Sequence, residues 1–125
     1  MAQKVSASDV KKARVTVEID GEDYMLIPSP EALVSLSGKY DGLAPLIAAI
    51  GRLNAQAMID TVVFGRGLEG AEARQMAQSV ARSNLLELMP KLQEFASILA
   101  NGGRPLREDK AGDNEGGKEG GKGPL

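Results

Sequence analysis

The sequence predicts an α+β domain in which an N-terminal β-hairpin packs on three to four α-helices and a disordered C-terminal tail follows. Three observations predict it. Apolar residues alternate on both sides of an Asp20-Gly21 pair, apolar residues recur at helical spacing from Leu43 to Leu99, and the composition changes abruptly after Asn101. A chain of 125 residues has room for one domain, because domains mostly run to about 100 to 150 residues.

The hairpin carries the clearest local signal. Val15, Val17 and Ile19 alternate with Thr16 and Glu18, and after Asp20-Gly21 the residues Tyr24 and Leu26 alternate with Asp23 and Met25. Asp-Gly suits a two-residue turn in which both central positions need positive φ. That turn pairs Ile19 with Glu22, Val17 with Tyr24 and Val15 with Leu26, gathering Val15, Val17, Ile19, Tyr24 and Leu26 on one face. An isolated hairpin is marginal in water, so this one is expected to lie on helices.

Ser29-Pro30-Glu31 reads as a helix start, with Ser at the cap, Pro in the first turn and an acid behind it. The helix is expected to end near Ser37, with Gly38 as its stop. A long central helix follows from about Asp41 to Phe64, ended by Gly65 and Gly67. Its polar residues Arg52, Gln56 and Asp60 are spaced four apart in one stripe, while apolar residues cover most of the remaining circumference. A third helix over about Gly70 to Arg82 turns Ala73, Met76, Ala77 and Val80 one way and Arg74, Gln78 and Arg82 the other. Asn84 caps the last helix, whose seam is Leu85, Leu88, Leu92, Phe95 and Leu99. Pro90 falls in its second turn and is expected to kink it or shift its start. Asn101-Gly102 ends it.

The segment from Gly102 to Leu125 has eight glycines and ten charged residues, five of each sign, too little apolar surface to offset the entropy of ordering it. The expected organisation is a flexible N-terminus over 1–13, a small α+β domain over 14–101 and a disordered tail over 102–125.

Composition narrows function. There is no His and no Cys, which removes imidazole and thiol catalysis and the usual zinc sites. Net charge is -2 and aromatics are 3%, so neither a basic face nor a stacking platform for nucleic acid is expected. No run approaches the roughly 18 apolar residues of a membrane span, and no signal peptide is visible, so a cytoplasmic, non-membrane protein is expected. The acids Asp20, Glu22 and Asp23 lack calcium-loop spacing. Gly65-Arg66-Gly67 follows a helix and lacks the Lys-Ser or Lys-Thr of a phosphate loop, and Ser35 and Lys39 do not have the spacing of a Ser-x-x-Lys pair. No enzyme activity, metal or cofactor is expected. The apolar helices point instead to protein partners. Leu46, Ile50, Leu53, Met58, Ile59, Val62 and Met76 read first as core, and those that so small a domain leaves uncovered are the candidates to meet a partner, either an apolar helix of another chain or, in a homo-oligomer, a second copy.

The order of these parts resembles the tail assembly chaperones of long-tailed phages and prophages, including the type found in gene-transfer-agent particles. The resemblance spans Val15 to Ala100 and rests on the hairpin, the short Leu-containing helix, the long helix ending in Gly-x-Gly-Leu-x-Gly (Gly65 to Gly70) and the Leu-rich last helix. It implies a non-enzymatic chaperone in phage tail assembly that coats the apolar, helical tape measure protein and helps recruit tail tube subunits. A different class, a self-assembling structural subunit of a tail or head-completion complex, fits the same composition. Glu115-Gly116-Gly117-Lys118 recurs as Glu119-Gly120-Gly121-Lys122, a flexible linker by composition. In genes of this type, which are often read in two frames, one Gly-Gly-Lys could also mark a ribosomal slip.

Overall fold

The computed structural model describes residues 13–106. It is an α+β fold: β1 (Val15–Ile19), β2 (Glu22–Leu26), α1 (Pro30–Tyr40), α2 (Leu43–Gly51), α3 (Ala55–Arg66), α4 (Gly70–Ala81) and α5 (Leu85–Ala100). The strands form one antiparallel pair with the expected register, Ile19 opposite Glu22 and Val15 opposite Leu26. Asp20 and Gly21 have φ of 55° and 86°, the two positive values that this turn demands. Val15, Val17, Ile19 and Leu26 are buried and Tyr24 is half-buried, with the Arg66 guanidinium 4.9 Å from its ring centroid. β1 lies over α5 and β2 over α3, and the Ile27 N–H donates to the Gly65 carbonyl at 3.0 Å.

The expected long helix is two helices. The chain leaves α2 at Arg52, passes through Leu53 at φ 62° and re-enters a helix at Asn54. The Leu53 N–H donates to the Ile50 carbonyl at 2.8 Å and the Asn54 N–H to the Ala49 carbonyl at 3.0 Å, the paired bonds of a Schellman ending. The Asn54 side chain then accepts from the Ala57 N–H at 3.1 Å and starts α3. The break lets the halves serve different neighbours: α2 lies mainly on α5, and α3 mainly on α4 and α1.

Helix ends explain two further differences. Gly38 does not stop α1, which continues to Tyr40 and ends at Asp41, φ 60°. The extra turn carries Lys39 and Tyr40 to α3. Gly65 lies inside α3, and Gly67 at φ 70° is its stop. A Cβ at Gly67 would meet nothing within 4 Å, so Gly67→Ala isolates the cost of a left-handed backbone. Urea unfolding is expected to show a loss of about 1 kcal/mol with an unchanged denaturant slope.

The remaining starts and stops follow expectation. Ser29 accepts from the Ala32 N–H at 3.0 Å, and Asn84 accepts from the Leu86 N–H at 3.0 Å and the Glu87 N–H at 3.3 Å. Pro90 does not move the start of α5 to Lys91, one of the expected outcomes, but sits inside a helix that runs uninterrupted from Leu85. Its ring leaves the Leu86 carbonyl without an intrahelical donor, and Leu86 is exposed enough for water to supply one.

Gly102 to Leu106, which composition assigns to the tail, are tied down. The Gly103 N–H donates to the Ile98 carbonyl at 2.8 Å, the Gly103 carbonyl accepts from the Ala13 N–H at 3.1 Å, and Asn101 donates to the Arg104 and Pro105 carbonyls. The rest of the expected tail, the Glu-Gly-Gly-Lys repeats and nearly all of the expected N-terminal segment lie outside the described residues.

Candidate partner-binding surface

Of the seven positions expected to meet a partner, Leu46, Ile50, Met58 and Val62 have no exposed surface and Met76 retains 7%. Leu53 and Ile59 are half-buried. The first five therefore belong to the core and are corrected as partner contacts, since side chains with almost no exposed surface cannot touch another protein unless the domain opens, whereas Leu53 and Ile59 keep some surface. The cause is the break at Leu53. A straight helix from Asp41 to Phe64 would leave apolar faces open at both ends, whereas two shorter helices close them against α5 on one side and α1 and α4 on the other.

The polar stripe also reads differently in three dimensions. Arg52 and Gln56 are exposed, but Asp60 in the same stripe is 6% exposed. The Tyr40 hydroxyl donates to its Oδ2 at 2.6 Å, Gln56 Nε2 donates to its Oδ1 at 3.0 Å, and Lys39 Nζ lies 3.0 Å from Oδ2. Burial first, then the hydrogen bond to Asp60 and the negative charge beside it, raise the Tyr40 hydroxyl well above its ordinary pKa. Tyr40 therefore stays a neutral donor, and the cluster fastens the last turn of α1 to α3. Each polar group in it already has a partner, so the cluster holds helices together and offers no free nucleophile or base.

Two other side chains also join elements. Arg82 donates to Asp20 at 2.9 Å, joining the end of α4 to the hairpin turn, and Gln93 Nε2 donates to the Ile47 carbonyl at 3.1 Å, joining α5 to α2. Among the described residues there is no group of three acids that could hold a metal ion. No helix among them is long and apolar enough to cross a membrane.

The surface keeps a different set of apolar side chains. Val34 on α1 is 68% exposed and Leu86 on α5 is 66% exposed, with Met25, Ile27 and Leu106 also exposed. Ala44, Pro45 and Ala48 face solvent on α2, next to the half-buried Leu43 and Ile47. Comparison with protein-family models, curated proteins and solved structures finds no match. Function has to be read from this surface. The positions of Val34 and Leu86 were available from periodicity: Val34 lies two residues from both Ala32 and Leu36, and Leu86 two from Leu88, which puts each on the opposite side of its helix from the buried seam.

Proposed function

We propose that this chain is a tail assembly chaperone of a long-tailed phage or prophage. It binds apolar helices of the tape measure protein in the host cytoplasm and helps bring tail tube subunits to them, without catalysing a reaction. The order of hairpin, short helix, central helices ending in Gly-x-Gly-Leu-x-Gly and Leu-rich last helix supports this reading.

The observation that carries it is the exposure of Val34 and Leu86, two large apolar side chains on helix faces turned from the core. Covering one such side chain is worth about 1.5–3 kcal/mol, too little for a tight one-to-one complex after the cost of association. A long helical client changes this, because many copies can line it and each needs only weak contacts.

Co-expression of the full chain with the tape measure protein of the same genome tests the reading. The tape measure is expected in the soluble fraction with the wild-type chain and in the pellet with a Val34→Glu/Leu86→Glu variant whose thermal unfolding is nearly unchanged, since both positions are on the surface. A tape measure equally insoluble with and without the chain overturns the reading. So does finding the chain in finished particles, which is what the structural-subunit alternative requires.

A further inference from the structure

The hairpin has a free edge along β1. A two-residue turn makes Ile19 and Glu22 a hydrogen-bonded pair, so alternation along the observed register points the backbone groups of Ile19, Val17 and Val15 toward β2 and those of Glu18 and Thr16 away from it. Neither Thr16 nor Glu18 has a backbone partner elsewhere among the described residues, and both are exposed. The other edge is partly occupied, since Ile27 just beyond β2 donates to Gly65. There is room beside β1: one cleft of about 470 Å³ is lined by Thr16, Glu18, Glu87 and Lys91, and another of about 590 Å³ by Arg14, Glu94 and Ile98. Together they place the edge beside α5.

The residues along this edge complement themselves. Antiparallel pairing of Arg14-Val15-Thr16-Val17-Glu18 with a second copy about Thr16 sets Thr16 opposite Thr16, Val15 opposite Val17 and Arg14 opposite Glu18, the last two pairings occurring twice. The residues whose backbone groups point outward, Thr16 and Glu18, then meet outward-pointing residues, as a hydrogen-bonded ladder requires. Of the other registers that keep this parity, centring on Val15 sets Arg14 opposite Thr16 and makes no charge pair within the described strand. Centring on Val17 sets Arg14 opposite Asp20, which Arg82 already holds, and centring on Glu18 sets two glutamates together. Glu18 also faces Asp23 across the hairpin, a like-charge pair that destabilises the single chain and that an arginine from a second copy would offset. An unpaired edge of β-branched residues is a template for another strand, and here the charges select the strand.

We propose that two copies of this chain join through β1, edge to edge and antiparallel about Thr16, to make one four-stranded sheet. The inference rests on the strand register and its charges and is independent of the chaperone reading.

Sedimentation equilibrium of the full chain at low salt is expected to show a dimer. Arg14→Glu and Glu18→Arg should each weaken it about tenfold or more, because each turns two attractive cross-strand pairs into repulsive ones. The double variant Arg14→Glu/Glu18→Arg should regain most of the affinity. Both side chains are exposed, so the variants fold. Because the chain has no cysteine, Thr16→Cys introduces a single thiol. At this register the two Cα atoms stand about 5.5 Å apart, within disulfide reach, and oxidation should give a covalent dimer, whereas Asp23→Cys on β2 should not. A full chain that stays monomeric, as it would if residues 1–12 or another protein's strand filled the edge, overturns the proposal. A dimer indifferent to both charge reversals overturns it too, as does one in which Asp23→Cys cross-links as readily as Thr16→Cys.

Discussion

Phe95→Ala is expected to remove about 3–5 kcal/mol of unfolding free energy, a large share of the roughly 5–15 kcal/mol that native domains have to lose. Phe95 has no exposed surface and stands where three elements meet. A Cβ built at Gly65 would lie 3.2 Å from two atoms of the Phe95 ring and 3.3 Å from Leu26 Cβ, so α3, α5 and the hairpin converge on this ring. Its removal leaves a cavity that no single neighbour can move to fill without dragging the backbone of an element with it. Urea denaturation followed by circular dichroism measures the loss, and a change below about 1 kcal/mol would show that the packing is not as tight as this. The same junction can be stressed from the other side. Gly65→Val forces a branched side chain against the ring and Leu26 and is expected to cost about 1–3 kcal/mol. Gly51 provides a contrast: a Cβ there would meet Gln93 Nε2 at 2.7 Å, but that atom ends a flexible side chain and can swing away, giving up its bond to Ile47.

What could be foreseen from the residues and what could not divides along a physical line. The hairpin was legible down to its register because a two-residue turn sets every pairing and burial follows by alternation. Helix starts at Ser29 and Asn84 were legible because caps are local chemistry. The break at Leu53 was not. Nothing breaks helical periodicity between Leu43 and Val63, and a leucine in the left-handed region has no composition cue; the available signal was Asn54 as a cap, with Leu53 and Met58 at the two positions of a hydrophobic staple. Gly65 looks like a helix stop in sequence because a glycine's tight approach to Phe95, thirty residues away, is invisible in local pattern. Which of the candidate apolar residues stay uncovered was illegible for the same reason. Which apolar face stays open depends on how helices fold back on one another, and that depended on the unseen break.

Asp60→Ala is expected to cost about 2–3 kcal/mol, because it strips the Tyr40 hydroxyl and Gln56 of a buried acceptor and unfastens α1 from α3. The ion pair itself contributes little of this. Lys39 is about half exposed, and such pairs are worth about 0–1 kcal/mol, so Lys39→Ala should be mild and Asp60→Ala severe. Tyr40→Phe separates the hydroxyl from the ring and adds a pH signature. In the folded chain Tyr40 holds its proton above the ordinary tyrosine value of 10.0. Above that value the native state keeps a proton that the unfolded chain has lost, so stability falls as pH rises, and the contribution is complete only below it. The difference in unfolding free energy between wild type and Tyr40→Phe should therefore be constant through neutral pH and shrink once pH passes 10. The Tyr24 hydroxyl is also raised, chiefly by its hydrogen bond to Glu22, but it is common to both proteins and cancels. A difference that stayed flat into strong alkali would mean that the Tyr40 hydroxyl does not depend on Asp60, and the link between α1 and α3 would then rest on apolar packing alone.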